Sequence, residues 1–196
     1  MSETNLPPPP FSPIITLGAS SIIDAPIEKV WDVLVDFPSY GEWNDMVYAV
    51  KMRVDIPVLT NYSRHAQKIV DEHKKPLDSQ IPQEGRHLLM EVHIPPTSDR
   101  SHKTTSHAFE LITNVDHAAH RVCWVSTYPR WFIEAVRWQT LSPVDGEEGK
   151  TKYESREVFR GIGSWILRWF LAGGLQQGFD ACAQGLKRRA EQVHQT

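Results

Sequence analysis

Residues 151–160, TKYESREVFR, and residues 163–194, GSWILRWFLAGGLQQGFDACAQGLKRRAEQVH, decide how this chain is read. In the first stretch, Tyr153, Ser155, Glu157 and Phe159 alternate with Lys152, Glu154, Arg156 and Arg160. That is the period of a strand whose second face is charged and meets solvent. In the second, Trp165, Trp169, Ala172, Phe179, Ala183, Leu186 and Ala190 recur at helical spacing and predict one long amphipathic helix. Gly173 and Gly174 within it mark a kink or a close approach.

Upstream, residues 85–94, 104–115, 120–127 and 131–141 read as strands joined by hairpin-length turns, a meander that buries one face. Residues 13–23 and 46–54 predict two earlier strands. Between them Ile27, Val30, Trp31, Leu34 and Val35 share one helical face, with Pro26 in the first turn and Asp24 as a cap. Phe37-Pro38 ends that helix, and a short second one is expected over 39–43. The polar stretch 55–84 reads as an insertion over a cavity mouth, with residues 63–73 able to wind into a helix. The fold class is α+β, about seven antiparallel strands curved around a long C-terminal helix.

The 196 residues suit one domain, expected over 13–196 behind a proline-rich arm of residues 1–12. Pro7 to Pro10 favour an extended polyproline tether. A net charge of −3 offers no excess of cations for a polyanion, so nucleic acid is not an expected partner. No apolar stretch approaches the ~20 residues needed to span a bilayer. The N-terminus lacks the basic and apolar regions of a secretory signal, and the cytoplasm is the expected setting. Cys123 and Cys182 have no CxxC spacing, and the nine histidines form no recognised metal motif. No metal and no organic cofactor are expected.

Four stretches carry a resemblance. APIEKVWDVLVDFPSYGEWN (25–44), VDHAAHRVCW (115–124), EVFRG (157–161) and GFDACAQGLKRRAE (178–191) resemble, in order and spacing, motifs of the START-like or SRPBCC superfamily. The resemblance implies a helix-grip fold, shared by polyketide cyclase/dehydrases and by lipid carriers, with an apolar cavity for a small organic molecule.

Parity assigns the residues that would face such a cavity. Val122, Trp124 and Ser126 point one way, and the apolar-x-Trp pair marks that face as inward. Tyr153, Glu157 and Phe159 are inward on the last strand. Both faces of the strand before it carry aromatics; Glu134, Trp138 and Thr140 are taken as inward. Glu134 and Glu157 would then lie roughly 5 to 8 Å apart on one face, where burial separates two carboxylates into an acid and a base. Glu157 serves equally well as a buried structural carboxylate. His107, sharing a face with Phe109 and Leu111, is the best inward histidine, whereas His87 and His93 fall outward. The candidate catalytic residues are therefore Glu157, Glu134 and His107. Trp124, Trp138, Tyr153, Phe159, Trp169 and Phe179 are the candidate ligand-binding residues.

Two functions compete. One is a cofactor-independent polyketide cyclase/dehydratase-like enzyme that folds an aromatic or polyketide-like substrate and moves its protons. The other is a non-catalytic carrier of a lipid- or quinone-like ligand, which needs no inward acid or base.

Overall fold

The computed structural model describes residues 4–44, 67–92 and 106–195. Its strands are β1 (Ile15–Ile23), β2 (Gln67–Val70), β3 (His87–Val92), β4 (Ser106–Asp116), β5 (Arg121–Ser126), β6 (Glu134–Pro143) and β7 (Thr151–Arg160). They form one seven-stranded antiparallel sheet in the order β1-β7-β6-β5-β4-β3-β2. Every neighbouring pair except β1 and β7 is consecutive in the chain, as a meander requires. The helices are α1 (Ile27–Val35), α2 (Tyr40–Trp43), α3 (Gly163–Phe170) and α4 (Ala172–Gln195). The α+β helix-grip architecture expected from the sequence is present.

α4 places Phe179, Cys182, Ala183, Leu186 and Ala190 in the same buried core as the inward side chains of the sheet. Burying one side chain the size of Leu186 contributes about 1.5–3 kcal/mol. Polar ties fix the helix against edge strand β1: the Gln176 amide donates to Gly18 O at 2.7 Å, and the Asp24 amide donates to Glu191 at 2.9 Å. α1 buries Val30, Trp31, Val33 and Leu34. Pro26 occupies its N-cap position with no side-chain cap bond, so Asp24 does not cap the helix.

Four local expectations change. Residues 67–70 are the edge strand β2, not helix, with Ile69 and Val70 fully buried. The Gln80 side chain binds both the amide and the carbonyl of Ile69, at 2.8 and 3.0 Å, and so closes part of that edge. This described part of the 55–84 stretch is sheet structure; residues 55–66, the expected strand 46–54, and His93 lie outside the described residues. The long helix is broken at Leu171 (φ −122, ψ −14), two residues before the glycine pair. A broken helix does not carry one stripe through, and Trp165 and Trp169 of α3 face solvent.

The proline-rich arm is not a free tether. It lies on the outer face of the sheet, the side away from α4. Asn5 donates to Leu141 O at 2.6 Å and accepts from Arg121 at 2.8 Å. Arg156 donates to Pro7 O, and the Arg160 guanidinium lies 4.4 Å from the Phe11 ring centre. Phe11 completes a second apolar cluster with Cys123, Val136, Val158 and Trp138.

Candidate functional site

One transverse row of the sheet carries the site. Ile112, Trp124, Arg137, Glu157 and Leu17 are successive cross-strand partners on β4, β5, β6, β7 and β1, and so share the inner face. Glu110, two residues before Ile112 on β4, projects from the same face. Gln139 and Ser155 form the next row, and Leu141 and Tyr153 the one after. Above them α4 supplies Phe179 and Cys182.

At the centre is the Arg137 guanidinium, 4.2 Å from the Phe179 ring centre and 5.7 Å from that of Trp124. Arg137 and Glu157 are only 7% and 8% exposed, and Glu110 is 9% exposed. Arg137 reaches Cys182 Sγ at 4.0 Å, and Asn44 donates to the same sulfur at 3.5 Å. The Tyr153 hydroxyl donates to Gln139 and lies 3.9 Å from Cys182 Sγ. Arg137 Nε makes no hydrogen bond, whereas the Trp124 indole sits beside the Glu110 carboxyl and the Ser155 hydroxyl beside that of Tyr153, as contacts looser than a full hydrogen bond. Buried polar atoms are nearly always satisfied, so the bare guanidinium nitrogen is the point at which a further polar group would complete the bonding.

Burial sets the protonation of the cluster. It raises Glu110 to about 8, with help from the charge of Glu157 and against the pull of Arg137. Glu157 is also raised by burial, with Arg137 opposing. Arg137 lies directly across from Glu157 in the β6–β7 ladder, and one guanidinium balances one carboxylate. At neutral pH Glu110, raised to about 8, holds its proton, and Arg137 is the cation that favours the charged form of Glu157 against its burial. Burial likewise raises Tyr153 and Cys182, which stay protonated.

Of the residues expected from sequence, Glu157, Trp124, Tyr153, Phe159 and Phe179 meet in this interior. Three do not. Glu134 is on the outer face, bound to Arg160 at 2.6 Å and 3.8 Å from Arg130. Trp138 shares that face and is half-buried in the cluster beneath the arm. The parity of β6 is therefore reversed: Ala135, Arg137, Gln139 and Leu141 face inward. Its outer side reads as core because Phe11 covers it, which removes the usual contrast between faces. His107 is exposed on the outer face, since Glu110 and Ile112 hold the inward positions of β4. Phe109 and Leu111, whose apolar side chains suggested an inward face for His107, lie on the outer face with it, where the Phe109 ring stacks on His87 at 4.8 Å between ring centres. Trp169 is in solvent at 77% exposure.

Sequence reading missed Glu110, Arg137, Gln139 and Cys182. A signal for Glu110 was present in its alternation with Ala108 and Ile112. Among the described residues no cluster of histidine, cysteine or carboxylate side chains could hold a metal ion.

The sequence matches no protein-family model and no curated protein. Solved structures are similar in fold. A hypothetical protein from Helicobacter pylori superposes with a TM-score of 0.67 at 11% identity, covering 97% of this chain and 99% of its own. The Zhui aromatase/cyclase from Streptomyces sp. R1128 gives 0.60 at 12% identity, covering 91% and 94%. A START superfamily protein from Mycobacterium smegmatis gives 0.52 at 15% identity, covering 91% and 98%. The chain has the START-like, helix-grip fold.

Proposed function

We propose that the protein binds a hydrophobic, aromatic or polyketide-like molecule between the sheet and α4, and acts on it as a cofactor-independent cyclase/dehydratase-type enzyme. The observation that carries this reading is the pair of buried carboxylates, Glu110 and Glu157, sharing one guanidinium in the interior of the sheet. The fold likeness to an aromatase/cyclase supports it. A passive carrier has no use for two buried acids, which cost stability wherever they are not needed.

Each group has a role in this reading. Trp124, Phe159 and Phe179 hold the apolar body of the substrate, and Arg137 binds a carbonyl oxygen and stabilises the enolate formed there. Glu157 takes the proton from the carbon beside that carbonyl. The enolate carbon then attacks a second carbonyl of the same chain, closing a ring and leaving an alkoxide. Glu110 supplies the proton that turns this alkoxide into a hydroxyl. Loss of that hydroxyl as water, with a further ring proton, gives the dehydrated product. The free thiols of Cys123 and Cys182 suit a reducing, cytoplasmic setting.

Native mass spectrometry of the protein purified from its own host identifies the retained molecule, and turnover is then followed on that compound or its precursor. Glu110→Gln and Glu157→Gln should each lower the rate by ~10²–10⁴ while the ligand still binds. Wild-type turnover should also fall as pH rises past about 8, where Glu110 loses its proton. A ligand that is bound and released unchanged, equally well by all three proteins, would establish the carrier instead.

A further inference from the structure

One end of the molecule presents a broad apolar surface that takes no part in the interior site. Gly161 (φ +102) ends β7, and a Cβ there would lie 2.5 Å from Phe132 O. The glycine lets the β5–β6 loop close onto the start of α3. Two backbone bonds hold them together, Ile162 N–H to Trp131 O at 3.1 Å and Gly163 N–H to Phe132 O at 2.8 Å. From this joined platform Trp131, Ile162, Trp165, Ile166, Trp169 and Phe170 are exposed, Phe170 by 81%. Six large apolar side chains on one end exceed the scattered exposure normal for a protein surface.

Cations outnumber anions around the patch. Residues 127–133 and 158–179 contain Arg130, Arg160 and Arg168 and no aspartate or glutamate. Glu134 binds Arg160 at 2.6 Å and lies 3.8 Å from Arg130, so one carboxylate faces two guanidiniums. Arg168 lies over the Trp165 ring at 5.6 Å. This rim is cationic on a chain whose net charge is −3.

We propose that this end docks the protein, without spanning, on an anionic lipid surface. Tryptophan rings and arginines around aliphatic side chains fit the boundary between headgroups and acyl chains. A second copy of the chain is the poorer occupant. A two-fold contact of the patch with itself would set Arg130 and Arg168 against a surface with no free acid to receive them. Lipid phosphates supply those partners. No helix among the described residues is long and apolar enough to cross a membrane, which is consistent with a peripheral contact.

The test is co-sedimentation of the full chain with vesicles of phosphatidylcholine and phosphatidylglycerol in equal parts, against vesicles of phosphatidylcholine alone. Binding is expected to the anionic vesicles, weakening with added salt. Arg130→Gln and Arg168→Gln should each reduce the partition coefficient about fivefold. The double variant Trp169→Ser/Phe170→Ser should reduce it roughly tenfold or more. Both of its side chains are solvent-exposed, so an unchanged circular dichroism spectrum verifies the fold. The proposal is overturned by absence of binding, by equal binding to both vesicle types, or by a wild-type dimer in sedimentation velocity that the double variant splits. None of these outcomes depends on what the interior binds.

Discussion

Glu134 and Glu110 carry the same carboxyl group in one sheet, and its two faces treat them oppositely. Glu134, on the outer face, has Arg160 at 2.6 Å and a second arginine nearby, at a site water still reaches. Glu110, on the inner face, has the Trp124 indole beside it, shares Arg137 with Glu157, and is pushed up to about 8. Solvent makes the difference. The outer pair keeps part of its hydration, chiefly through the half-exposed Arg160, and contributes little. Inner charges have lost theirs, and the attraction between them offsets only part of that loss. The inner face therefore holds its charges at a cost to stability, as sites used for proton transfer do.

The comparison breaks first at Arg137. Arg137→Met leaves two buried carboxylates without a cation and should destabilise the fold by about 3–5 kcal/mol in denaturant unfolding. Arg160→Gln, which removes the outer partner of Glu134, should cost less than about 1 kcal/mol. Equal losses at the two positions would mean that the faces do not differ as described.

Stability against pH sharpens the contrast. The folded state holds the Glu110 proton up to about 8, whereas the unfolded chain releases it near 4.5. Between those values the native state binds more protons than the unfolded one, so stability falls as pH rises, by at most about 1.4 kcal/mol per pH unit from this group. Glu110→Gln should flatten the profile in that window. Melting temperatures across the range read the change.

The smallest expected effect concerns the arm. Phe11→Ala should cost on the order of 1 kcal/mol by uncovering Val136 and Val158. It should also speed maleimide labelling of Cys123, a buried thiol that burial pushes up to about 12. A labelling rate unchanged by the substitution would show that the arm does not shield this face.

The same two faces explain what the sequence disclosed. β7 was legible because its outer residues, Lys152, Glu154, Arg156 and Arg160, are charged, so Tyr153, Glu157 and Phe159 fell inward. β6 was not, because the arm turns its outer side into a second apolar cluster and leaves Arg137 as the inward charge. β4 hid Glu110 because Phe109 and Leu111 made its outer side the more apolar of the two. The break at Leu171 was signalled only by the glycine pair two residues on, because the helical period runs through it without interruption. Local pattern showed where elements lie; long-range cover decided which side of them is inside.

The most direct test of the inner-face account is the titration of the Glu110 side chain, followed by ¹³C NMR on glutamate-labelled protein and assigned with Glu110→Gln. The account predicts a midpoint near 8 that moves down when Glu157→Gln removes the neighbouring charge. A midpoint near the ordinary 4.5, unmoved by that substitution, would contradict it.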